Sequence, residues 1–141
     1  MKYLIILLCL LTTVNIRAQV LTEQQTVEIL KKSKFSPTLI PLALCVIKYE
    51  SRFNTKAKNL NKNKTIDTGL FQVNSANLNS CNVTMEELQD PYVNARCALK
   101  IVNKQGLSAW MAYNEHRSEC HEYADDYLNG SNILLRNKTP M

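Results

Sequence analysis

Four cysteines, Cys45, Cys81, Cys97 and Cys120, constrain this chain more than any other feature. A fifth, Cys9, sits inside MKYLIILLCLLTTVNIRA, where Lys2 precedes an apolar run from Leu4 to Leu11, polar residues and the small Ala18. That layout predicts a secretory signal peptide over residues 1–18, leaving 19–141 as one domain. The apolar run is shorter than the ~20 residues a membrane span needs, so no stable membrane insertion is expected. An even set of cysteines in a small secreted chain reads as two disulfides, and four cysteines admit three pairings. No CxxC pair exists, and His116 and His121 lie near only Cys120, so neither a zinc site nor any other metal or cofactor is expected. The expected product is a secreted, extracellular, monomeric domain stapled twice.

Charge narrows the partners. Losing Lys2 and Arg17 with the leader lowers 17 cations to 15 against 12 acids, a balance of +3. Such mild basicity favours acidic polymers or bacterial surfaces. It is too weak to argue for nucleic acid, and ordinary solubility accounts for it equally well.

Local signals order the elements. Thr22 with Gln25 forms a capping-box pattern before the apolar face of Val27, Ile29 and Leu30. SPTLIPLALCVIKYES predicts a second helix with Pro41 in its first turn and Glu50 at its end. Asn-rich turns and the alternation in TGLFQVNS predict a small antiparallel sheet between Asn59 and Asn74. TMEE opens a short helix at Thr84. Asp90, Pro91 and Gly106 bound the clearest helix, with Ala95, Ala98, Ile101 and Val102 on its buried side. SAWMAYNEH predicts a shorter apolar helix, and the chain from about residue 129 reads as a loose tail. Helices flanking a small sheet make this an α+β fold.

Two acids stand out in the polar, basic stretch from Tyr49 to Ser75: Glu50 and Asp67. Glu50 follows LALCVIKY, and desolvation there would raise its pKa. Asp67 lies among polar residues that would keep it ionised. Two carboxyls with environments that push their pKa values apart are what an acid/base pair requires. Glycoside hydrolysis needs such a pair, one to protonate the leaving oxygen and one to stabilise or trap the oxocarbenium centre. Spacing alone does not separate this from an ordinary helix-end Glu and turn Asp.

The wording around them does. ALCVIKYESRFNTKAKNLN followed by DTGLFQVNS resembles the c-type lysozymes, which share ancestry with the α-lactalbumins. Cys45, Glu50, Ser51, Phe53, Asn54, Thr55, Asp67, Gly69, Phe71, Gln72, Asn74 and Ser75 fit the family pattern without a gap, and CALKIV and GLSAWMAY resemble it too. The resemblance implies a lysozyme-like fold, a helical lobe and a small sheet lobe with a cleft between them. It implies that Glu50 is the general acid and Asp67 the nucleophile or stabiliser. Asn59, Asn61, Gln72, Asn74, Ala109 and Trp110 become sugar-cleft residues, with Trp110 packed against the acid. It implies the pairings Cys45–Cys120 and Cys81–Cys97. The implied partner is peptidoglycan or a chitin-like oligosaccharide, cut by a retaining muramidase at the β-1,4 bonds between N-acetylmuramic acid and N-acetylglucosamine. Both carboxylates are present, whereas the α-lactalbumin branch typically lacks the acid.

The departures from the pattern are specific. Two of the usual four bridges are missing, and Met85 stands where a further cysteine would fall. Thr68 replaces an aromatic, Asn77 and Leu78 follow QVNS where cleft aromatics usually lie, the chain between Trp110 and Cys120 is longer than usual, and NEHRSEC within it is unfamiliar. Only Asp90 stands where the calcium-binding branch needs several acids. These losses keep a second function open, a lysozyme-like glycan- or cell-binding protein without turnover. Sequons occur at Asn63, Asn82, Asn129 and Asn137.

Overall fold

The computed structural model describes residues 19–136, with side chains through residue 130. The expected leader and the sequon at Asn137 lie outside the described residues. The elements are α1 (Glu23–Lys32), α2 (Leu39–Ser51), β1 (Lys58–Leu60), β2 (Ile66–Thr68), β3 (Val73–Asn74), α3 (Leu78–Cys81), α4 (Pro91–Gln105), α5 (Met111–Glu115) and α6 (Arg117–Arg136). The fold is mostly helical, with one antiparallel three-stranded sheet in the order β1-β2-β3.

The boundaries of α1 and α4 follow from side-chain chemistry. Thr22 caps α1 reciprocally with Gln25. The Asp90 carboxylate accepts from the Tyr92 and Val93 amides, Pro91 starts α4, and Gly106 ends it with φ +73°. Free amides at a helix start need such an acceptor, and proline loses nothing in the first turn. Thr84 and Glu87 also cap reciprocally, but only one 3-10 turn follows, over Glu87–Gln89. Pro91 disfavours helical geometry at the residue before it, and Asp90 is extended.

Two further elements differ from the sequence reading. The SAWMAYNEH segment is broken into a 3-10 turn over Leu107–Ala109 and the short α5, because Trp110 between them is extended and its indole N–H donates to the Phe71 carbonyl at 2.7 Å. The loose tail expected from about residue 129 is instead helical to Arg136. A single interior glycine, Gly130, costs a helix only about 1 kcal/mol, and the Leu and Arg residues that follow are good helix formers.

One core joins the helices and the sheet. Leu30, Leu44, Ile47, Leu70, Phe71 and Leu88 are fully buried within it. α2 and α6 are bridged by Cys45–Cys120, and the end of α3 is tied to α4 by Cys81–Cys97. The separations of 75 and 16 residues correspond to about 4 and 3 kcal/mol in the chain-entropy picture. The unfamiliar NEHRSEC segment adds a polar fastening. Tyr49 stacks on His116, and Glu119 accepts from the Tyr49 hydroxyl and pairs with His116. This pins the last turn of α2, next to Glu50, to the start of α6.

Candidate active site

The turn between β2 and β3 links sheet to helices. Gly69 has φ +78°, and a Cβ there would lie 2.3 Å from the Asn94 amide nitrogen and 2.5 Å from the Leu88 carbonyl oxygen, so only glycine fits. Asn94 is fully buried in α4. Its amide donates to the Thr68 and Leu88 carbonyls, both at 2.8 Å, and its oxygen accepts from the Phe71 amide at 2.9 Å. Trp110 holds the other side of Phe71, through its carbonyl. The turn is thus clamped from α4 and from the segment before α5, and the strands it joins carry the site.

Asn59, Asp67 and Asn74 lie opposite one another on β1, β2 and β3, a single row across the sheet. Each oxygen of the Asp67 carboxyl is held. Asn61 donates to Oδ2 at 2.9 Å and Asn74 to Oδ1 at 2.8 Å. Thr65 supports both asparagines, its Oγ1 accepting from Asn61 and Asn74 and donating to Asn63. Asn59 in turn donates to Asn61.

Glu50 faces this row from the last turn of α2. Burial pushes its carboxyl up to about 6. A hydrogen bond from the Ala112 backbone opposes that rise, and the charges of Asp67 and Glu115 add to it. A carboxyl that resists ionisation until about pH 6 can donate a proton in mildly acidic water.

A cleft of about 380 Å³ lies between sheet and helices, lined by Asn61, Asp67, Gln72, Asn74 and Asn77 on the sheet side and by Glu50, Ile101, Gln105, Ala109, Trp110 and Met111 on the helical side. A recess of about 390 Å³ shares Glu50, Asp67 and Gln72 and adds Tyr49, Arg52, Lys58 and Asn59. Every residue that the sequence marked for the site therefore lines one or the other. A larger cavity of about 650 Å³ opens beside α1 and the start of α4. Of its three carboxyls, Glu28 is paired with Lys31, Asp90 is occupied in capping α4 and Glu86 is exposed, so it offers no pair like Glu50 and Asp67.

Several of these side chains are already committed. The Asn74 amide serves Asp67 and Thr65, while its oxygen accepts from Ala76. The Gln72 amide donates to the Ala57 and Gly69 carbonyls. Trp110 is only 6% exposed and lies tilted against Phe71. Asn74 and Gln72 thus shape the site, and Trp110 forms its floor. Sequence reasoning missed the Ala112 backbone donor, Glu115, Met111, Arg52 and Lys58. A backbone donor has no sequence signature, but Met111, at 72% exposure, follows Trp110 directly and was open to recognition. Arg52 is notable for its left-handed backbone, φ +51°, which costs a non-glycine residue about 1 kcal/mol or more. Among the described residues, no group of three or more His, Cys, Asp or Glu is placed to hold a metal ion.

The chain is similar to known proteins in sequence and in fold. Residues 19–129 match the model of the C-type lysozyme/alpha-lactalbumin family. Lysozyme C-3 of Sus scrofa is 35% identical over 133 residues, covering 82% of this chain and 90% of that protein. Lysozyme C-1 of Bos taurus is 31% identical over 150 aligned positions, covering 94% of this chain and 100% of that protein. The crystal structure of a lysozyme from Litopenaeus vannamei superposes with a TM-score of 0.66 at 31% identity, covering 80% of this chain and 97% of that one.

Proposed function

The chain belongs to the C-type lysozyme/alpha-lactalbumin family, and from that premise we propose that it is a secreted, antibacterial or digestive muramidase, cleaving peptidoglycan between N-acetylmuramic acid and N-acetylglucosamine. The observation that carries the reading is the pairing of two unlike carboxyls across one cleft. Glu50 is half-buried and pushed up to about 6, while Asp67 has both oxygens fixed by amides. In the proposed reaction Glu50 gives its proton to the glycosidic oxygen as the C–O bond breaks. Asp67 attacks the anomeric carbon and forms a glycosyl ester. Glu50, now ionised, takes a proton from water, whose oxygen displaces Asp67 with net retention. Asn61 and Asn74 keep Asp67 oriented throughout. Secretion fits the two disulfides and the signal-like leader.

The pH profile tests this directly. Glu50 must start protonated, so turnover declines as pH rises through about 6. Clearing of a Gram-positive cell-wall suspension across pH 4 to 8 should therefore be strong on the acid side and fall about tenfold for each unit above the limb. A profile flat from pH 5 to 8 would remove Glu50 from the role of acid.

One observation favours a second reading, binding without turnover. Among the described residues Trp110 is the one aromatic lining the helical side of the cleft, and it is buried, which leaves little ring surface for sugar stacking. That reading predicts retention on cell walls with no soluble product.

A further inference from the structure

The cleft is uneven in charge. Its helical side, from Ile101 to Met111, contributes no cation to the lining. The recess that shares Glu50 and Asp67 contributes two, Arg52 and Lys58, both exposed. Among the described residues neither cation forms an ion pair. The acids that face them are Glu50 and Asp67, and Asp67 already has an amide on each oxygen. The cationic character continues beyond the recess through the exposed Lys56, Lys62 and Lys64 of the same lobe. Arg52 also occupies a left-handed position that closes α2, where its backbone N–H donates to the Lys48 carbonyl. Glycine would take that backbone without steric cost, yet a long cation stands there, at the mouth of the recess.

We propose that Arg52 and Lys58 form an anion-recognising subsite for a carboxylate carried by the bound polysaccharide, such as the free carboxylates of peptidoglycan peptide stems. The inference rests on the proposed muramidase reading for its polymer and makes that reading narrower: acidic peptidoglycan is selected over neutral chains of the same sugars. Arg52 offers a planar fork suited to a carboxylate, and Lys58 adds a flexible point charge. Both contacts are solvent-exposed, so their effect is modest and fades with salt.

The test compares teichoic-acid-free peptidoglycan with the same material after amidation of its carboxylates, by co-sedimentation and by release of soluble fragments. The parent protein should bind the carboxylate form roughly fivefold to tenfold tighter at low salt. Arg52→Gln with Lys58→Gln should bring that ratio to within about twofold of unity. Lys32→Gln with Arg96→Gln, an equal loss of charge at exposed positions outside the cleft lining, should keep the parent's ratio. If the Arg52 variant does not fold, Lys58→Gln alone should lower the ratio by about threefold. The proposal is overturned if the parent binds both forms alike, if the Arg52/Lys58 variant keeps the parent's preference, or if both double variants lose it equally. Fragments released from both forms with no preference would remove this subsite and leave the muramidase standing. A retained binding preference with no fragments from either form would do the reverse.

Discussion

Replacing Glu50 by Gln leaves the fold intact and lowers peptidoglycan hydrolysis by about a thousandfold or more. The glutamine side chain has nearly the same shape, so the last turn of α2 and its packing are kept. What disappears is the proton. Burial is the main cause of the raised Glu50 pKa, with Asp67 and Glu115 adding to it against the Ala112 hydrogen bond. An amide has no proton to give a leaving oxygen at any pH in the working range. The alkaline limb at about 6 should therefore vanish along with the activity. Circular dichroism and thermal melting of the variant should match the parent, which separates loss of chemistry from loss of structure. Lysis at the parent's rate by the folded variant would show that killing runs through another route, such as direct action of the cationic protein on membranes.

Asn94→Ala should have the largest effect on stability, with no contact to substrate. Three buried hydrogen bonds end on this one amide, to the Thr68 and Leu88 carbonyls and from the Phe71 amide. Removing it strands polar backbone groups in a dry interior, each at about 1 to 3 kcal/mol. A loss of roughly 3 to 5 kcal/mol is expected, and a melting temperature lower by about 10 to 20 °C with both disulfides intact. The consequence reaches the site because the turn that Asn94 clamps joins the strands carrying Asp67 and Asn74. Turnover should fall at temperatures where the variant is still largely folded. A melting temperature within about 2 °C of the parent would mean that the turn is held by Trp110 and Gln72 alone.

Asn94 also shows what a sequence does and does not disclose. It sits on the same face of α4 as Ala98 and Ile101, so a polar residue in a buried stripe was visible, but its three partners come from distant segments. The caps at Thr22, Asp90 and Gly106 were legible because capping is local chemistry within a few residues. Glu50 and Asp67 were legible because the residues around each one set its environment. The commitment of the Asn74 and Gln72 amides to internal partners was not, since it depends on the turn folding back on Ala57 and Thr65. Trp110 was readable as an aromatic near the acid, but its extended backbone follows from a bond to Phe71, remote in sequence. The continuation of α6 past Gly130 is masked in the sequence because a glycine within a polar run signals a helix end, although helix formers follow it.

The most direct measurement of the central claim is mass spectrometry of the products made from purified peptidoglycan by the mature protein, near pH 5 and with both bridges formed. The account predicts soluble muropeptides whose new reducing ends are N-acetylmuramic acid, absent when Glu50→Gln is used. A folded protein that binds the polymer and releases no fragments, or fragments ending in N-acetylglucosamine, would contradict it.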